Sequence, residues 1–267
     1  MNLTLLRRSW RGQQTKLLAV SIALFGWGFV LPIVFASYGA QFRQLIDSGI
    51  IPKAMTQFGG GDIFSLGGSI ALGFIHPIAV ALNSVFAIGF ATAAVAGERQ
   101  RGTLEVLLSR PISRRALVGT TYAALILFLA ITLAVFLLGS LSASILWGVA
   151  GQIDTTRLPL LWLNGVLMYG AFGAVSLAAS VSFDRLSPAL GVALGLTIVS
   201  YFLDILGSLW PDAKGVQPLS LFHYMKANEV LAGTAPLSDM AVLAAVIVVA
   251  LGFALVRFPR RDIAAPS

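Results

Sequence analysis

From Ala116 to Ile153 the chain carries no charged side chain, and the stretch from Ile63 to Gly97 has no Asp, Glu, Lys or Arg either. A helix that crosses the hydrocarbon core of a bilayer needs about 20 consecutive apolar residues, and both runs exceed that length. The whole chain agrees: 57% of its 267 residues are hydrophobic and 11% charged, where a soluble domain carries about 25% charged residues. So little polar surface cannot cover a water-facing fold. The chain is an integral membrane protein.

Six helical spans are expected within a single transmembrane domain covering residues 1–267, at about 17–38, 71–96, 117–147, 158–181, 188–210 and 240–256. The fold class is all-α, with two short helices outside the spans. The first is the opening MNLTLLRRSWRGQQTK, which holds Arg7, Arg8, Arg11 and Lys16 without an acid. Leu3, Leu6 and Trp10 fall on one helical face there, the pattern of a basic helix lying in the membrane interface over residues 1–16. The following run, Leu17 to Tyr38, exceeds the roughly 7–15-residue core of a cleaved signal peptide, so it reads as a retained first span.

Six spans put both termini on one side. The two termini and the second-to-third and fourth-to-fifth connections hold thirteen of the eighteen Lys and Arg residues. The positive-inside rule makes that side the cytoplasm of a cell membrane. Trp147, Trp162 and Trp210 then sit at outer span ends, as an interfacial aromatic belt requires. The same rule explains the formal charge of +7 better than nucleic-acid binding does. Without Cys, disulfides, thiolate metal sites and a Cys nucleophile are excluded.

The outer connections are unequal. Residues 211–239 form a long outer segment, in which LSLFHYMKANEVL places Leu219, Phe222, Met225 and Glu229 near helical spacing. It is either a short outer helix or one dipping into the headgroups. The glycine-rich FGGGDIFSLGG lacks the G-x-x-x-x-G-K-[ST] pattern of a phosphate loop and reads as a flexible outer loop. Gly191-x-x-x-Gly195 and Ala87-x-x-x-Ala91 are small-xxx-small pairs that let helices approach closely.

Catalytic chemistry has few candidates. His76 and His223 are far apart and lack further ligands at metal spacing; His76, ahead of Pro77, reads as structural. No H-E-x-x-H, G-x-S-x-G or buried carboxylate pair is present, so no enzyme and no cofactor or metal site is expected in this chain. Polar or bulky groups within apolar spans need a reason, which singles out Trp27, Asn83, Asn164 and Asp204 as a possible substrate path. The plainer reading for most of them is that they satisfy one another between helices, and Asp204 lies near an outer span end.

The remaining feature is GERQRGTLEVLLSRPISRR, residues 97–115. Glu98, Arg99 and Arg101 follow the second span, and Gly102 breaks the run. Thr103 can cap a new helix, and Pro111 stops it. Leu104, Leu107 and Leu108 share one face of that helix, which also carries Glu105. Ser113 can cap the third span, whose mouth holds Arg114. An interfacial helix covering the bundle is one reading. The segment also resembles the second-to-third connection of type-2 ATP-binding-cassette exporter permeases, which shows an acidic-basic pair, Gly-Thr-Leu-Glu, a Leu pair, and Pro followed by a hydroxyl residue and Arg. The ending FPRRDI resembles that family's basic tail.

The resemblance implies that residues 97–115 form a coupling helix docking on a separate nucleotide-binding ATPase subunit, with ATP and Mg held on that partner. It also implies a second permease copy or related permease, and export of an apolar or amphipathic substrate. Docking by apolar anchors flanked by charges is helix-in-groove recognition; Glu98 and Arg99 can alternatively bridge to the N-terminal helix. An ion-gradient-driven carrier or channel, and a non-transporting assembly factor, are the competing functions.

Overall fold

The computed structural model describes residues 2–50, 64–234 and 237–262. The glycine run at 59–61, Lys53 and Ile263 lie outside them. Every regular element among the described residues is helical: α1 Leu3–Asp47, α2 Leu66–Ile75, α3 Pro77–Ser84, α4 Glu98–Gln100, α5 Leu104–Leu108, α6 Arg114–Leu146, α7 Leu158–Ser182, α8 Leu186–Leu209, α9 Ala227–Ala232 and α10 Leu237–Arg257, with π and 3-10 turns between some of them. Five helices, those built on α1, α6, α7, α8 and α10, are long and apolar enough to cross a membrane. The bent pair of α2 with the helix from Pro77 to Phe90 makes a sixth crossing if counted as one.

Several expected boundaries change; the first span, expected to end at 38, continues to Asp47. The division at residue 16 is not a helix end, because α1 runs unbroken for 45 residues from its Asn2 cap. Gly12 alone does not break a helix whose neighbours are good helix formers. In the second span the helix begins at Leu66 and is interrupted at His76. A residue before proline avoids the helical region, and His76 is extended, with its Nδ1 accepting from the Ile78 N–H. The two halves meet at 43°.

The centre of the fold is the pairing of α1 with α6, which run in the same direction. The Asn2 N–H donates to Thr120 Oγ1 at 3.0 Å, and the Trp10 and Phe128 rings lie 6.0 Å apart. Further along, Gly28 meets the Phe136 backbone and Gly139 meets the Phe25 backbone, with no room for a Cβ at either glycine. The glycine seam within the chain is therefore Gly28 and Gly139. An added Cβ at Gly191 or Gly195 meets nothing within 4 Å, while Ala87 and Ala91 are buried. Phe74, Phe86, Phe128 and Phe136 fill the core between α6 and the second span. Elsewhere α8 and α10 present Ile198, Phe202, Val248, Val249 and Phe253 outward, as lipid-facing helices do.

At the far end, the connection after α8 folds back onto the bundle. Pro211–Leu219 is a 3-10 run, and Phe222 packs on Phe172 and Tyr201 with ring centroids 5.0 and 5.4 Å apart. The helical face expected over Leu219 to Glu229 is divided between a 3-10 turn at Phe222–Tyr224 and α9, and Leu219 is exposed. Met225 and Val230 are buried. Burial holds the His223 imidazole below its ordinary value; Lys226 pushes the same way, with Asp239 and Glu229 opposing. The unfolded chain therefore binds the proton first, and this contribution weakens as pH falls below about 6.5. Limited proteolysis of the 211–234 stretch should quicken on acidification, and His223→Gln should flatten that response.

Candidate functional site at the charged end of the bundle

The bundle end carrying residues 97–115 is tied together by three consecutive side chains of α4. Glu98 accepts from Arg101 at 2.9 Å and from the Thr103 hydroxyl at 2.6 Å, and Arg8 of α1 stands 3.9 Å away. Arg99 pairs with Asp184, between α7 and α8, at 2.7 Å. Gln100 Oε1 accepts from the N–H of Leu186, the first residue of α8, at 2.8 Å. One helical turn therefore holds three other elements.

The chain's tail closes the ring. Arg261 pairs with Asp184 and donates to the carbonyls of Val181 at 2.8 Å and Phe183 at 3.0 Å. Arg114, in the first turn of α6, donates to the Arg261 carbonyl at 2.6 Å and lies 5.6 Å over the Phe258 ring. Burial lowers the Arg261 guanidinium from its ordinary value and Asp184 opposes that shift; an arginine stays cationic at neutral pH. Isolated exposed pairs contribute about 0–1 kcal/mol. This set is a connected network around side chains 13–15% exposed, Arg261 and Arg99, so its members constrain one another.

Beyond α4 the chain reverses. Gly102 adopts φ +70°, a left-handed conformation that favours glycine. The Thr103 hydroxyl is engaged backwards, to the carbonyl and carboxylate of Glu98, and makes no cap on α5. Ser113 does cap α6, accepting from the Ala116 N–H at 3.1 Å. The apolar face of α5 is turned the opposite way from the docking orientation expected of it. Leu104 is 1% and Leu107 7% exposed, packed into this chain's own core, with Leu108 half-buried. The outward face consists of Glu105, Val106, Ser109 and Arg110, with Val106 66% exposed. Turning the leucines of a five-residue helix inward roots it in the bundle.

Above this end, the second span carries two π segments, Val85–Phe90 and Ala93–Gly97. Such bulges open the regular helical ladder and recur at functional sites. Ser180 of α7 fills the opening: its Oγ accepts from the N–H groups of Val95 and Ala96 at 3.1 and 3.0 Å and donates to the Thr92 carbonyl at 2.7 Å. Ser180→Ala would strand three buried backbone groups, each costing about 1–3 kcal/mol. Partial relaxation leaves an expected loss of about 2–4 kcal/mol, read as a lowered Tm in detergent and faster amide exchange at Val95 and Ala96.

The four intramembrane candidates do not form one cluster. Trp27 donates to the Gly73 carbonyl at 3.1 Å, and its ring lies tilted against that of His76 with centroids 4.5 Å apart. Asn83 donates to the Ala79 carbonyl and accepts from Thr132 at 3.0 Å. Asn164 donates to the Tyr224 carbonyl at 3.2 Å, and its Oδ1 has no hydrogen-bond partner among the described residues. Asp204 is buried on α8, at the end where Gln217 donates to its carbonyl at 3.3 Å. Three of the four bridge separate elements. Among the described residues no group of three metal-ligating side chains comes together.

Sequence reasoning missed Gln100, Asp184, Ser180 and Arg261. Asp184 had a signal, as the sole acid in the short SFDRLS connection; a serine among the small residues of α7 had none.

Residues 7–263 match the family described as ABC-2 family transporter protein. The chain belongs to that family. No curated protein matches the chain significantly. ABC-2 permeases are membrane transport subunits that normally lack their own ATPase site, in agreement with a sequence that carries no phosphate-loop motif. The family match extends over all the helices described above except the first four residues of α1, so the charged-end network belongs to an ABC-2 transporter domain.

Proposed function

We propose that this ABC-2 family protein is the permease subunit of an ATP-driven exporter, moving an apolar or amphipathic substrate, with energy supplied by separate ATPase subunits that hold ATP and Mg. Both termini and residues 97–115 face the cytoplasm, and two permease copies enclose the path. The observation that carries the reading is the way α5 is mounted. Its leucines root it in the bundle, and its base, α4, grips α1, the α7–α8 connection and the first turn of α8. A push on its outer face therefore reaches several spans together.

The coupling interface is then Glu105, Val106 and Ser109, while Glu98, Arg99, Gln100, Thr103 and Arg114 brace it from behind. ATP-driven approach of two ATPase subunits displaces the α5 helices. The π segments immediately above interrupt the regular helical ladder and supply the length through which the second span yields. This is coupling between distinct sites through a bistable bundle.

Purification of the tagged chain from its native membrane is expected to recover a nucleotide-binding subunit, with ATPase activity that depends on the pair. Recovery of the chain alone, together with transport in vesicles driven by an ion gradient without ATP, would overturn the reading.

A further inference from the structure

A groove of about 690 Å³ lies between the first turns of α1 and the end of α5. One wall carries Arg7, Arg8 and Arg11, which with Thr4 follow the i, i+3, i+4, i+7 stripe of one helix face. The other carries Leu107, Arg110 and Ile112. Four arginines thus line a space whose lining includes no carboxylate. Arg8 has Glu98 at 3.9 Å on the adjoining side. Arg7, Arg11 and Arg110 make no ion pair among the described residues.

Like charges four residues apart on a helix repel, so Arg7 and Arg11 are placed at a cost that a bound anion would remove. The groove is also not purely polar, since Leu107 and Ile112 line it below the arginines. Its α1 wall precedes the apolar run that begins at Leu17 on the same unbroken helix by about two to three turns, the end of a span at which a basic amphipathic helix meets headgroups. Basic pockets on the cytoplasmic side of helical bundles take anionic lipid headgroups.

We infer that this groove binds the headgroup of an anionic phospholipid, its phosphate held between the arginines of α1 and Arg110 and its glycerol end resting on Leu107 and Ile112. The bound lipid bridges α1 to α5, and so ties the outward face of α5 to the membrane. A protein partner with an acidic projection is the competing occupant; a basic groove that pairs arginines with Leu107 and Ile112 beside the start of the first span favours the lipid. The inference rests on the proposed cytoplasmic orientation of this end, but not on an ATPase.

The test is native mass spectrometry of the full chain, released from detergent with phosphatidylglycerol or phosphatidylcholine. Phosphatidylglycerol is expected to be retained, and the triple variant Arg7→Gln, Arg11→Gln, Arg110→Gln to weaken that retention by about tenfold or more. Phosphatidylcholine should be unaffected, and Arg185→Gln, a cation at the same end outside the groove, should change nothing. Circular dichroism and a single elution peak establish that the triple variant is folded. Equal retention of phosphatidylglycerol by the triple variant overturns the inference. So does a triple variant that keeps the lipid but loses a copurifying ATPase subunit, which would assign the groove to that partner. Lipid loss in the triple variant of a chain that binds no ATPase would sustain the lipid site while overturning the transport reading.

Discussion

Gly139→Leu is expected to remove nearly all folded protein from the membrane, with the monodisperse peak in fluorescence-detected size exclusion falling by about tenfold or more. An added Cβ at Gly139 runs into the Phe25 carbonyl, and at Gly28 into the Phe136 carbonyl. Both obstacles are backbone, which cannot rotate away as a side-chain tip can. Ordinary overpacking costs about 1–3 kcal/mol, because neighbouring side chains give. Here the only relief is to separate α1 from α6, and in lipid no hydrophobic force presses separated helices back together. Gly191→Leu is the matched control, since its added side chain meets open space, and its peak should stay near normal. A normal peak for Gly139→Leu would mean that α1 does not lie on α6 at that level.

The second large effect separates two residues of α5. Leu104→Asp is expected to unfold the charged end: Leu104 is 1% exposed within the core, and an unpaired carboxylate there costs several kcal/mol. Val106→Asp should leave the fold intact, because that side chain is 66% exposed. It should nevertheless abolish copurification of the ATPase subunit if the outward face of α5 makes the contact. The readouts are Tm for the first variant and pull-down for the second. Val106→Asp with full association would sink the assignment of that face, whatever happens at Leu104.

Residues 97–115 illustrate what a sequence can disclose. Gly102 and Pro111 flank the helix Leu104–Leu108, because one supplies a left-handed turn and the other cannot continue a ladder; both properties are local. The leucine spacing correctly announces an apolar face. Which body that face is pressed against is not local information. The same three leucines serve equally to fill a partner's groove or to anchor the helix on its own bundle, and the structure turns them inward. Thr103 shows the same limit: it is a good cap by type, yet its hydroxyl is taken by Glu98, which chain reversal at Gly102 brings within reach.

That the chain is a helical membrane protein was legible without coordinates, because uncharged runs longer than a bilayer is thick have no other stable solution. The charged end was legible too, because arginine and lysine cluster where spans are joined, and the Gly-Thr-Leu-Glu segment matched a family pattern. It took the folded bundle to show which helices touch, which face of α5 remains outside, and that Glu98, Arg99 and Gln100 each hold a different element. Burial in lipid follows from composition, which one chain segment carries alone. Contacts between helices depend on small residues, hydroxyls and single charges meeting across long sequence separations, as Ser180 meets the π segment and Asp184 meets Arg99 and Arg261. Such partners acquire their meaning only when the bundle brings them together.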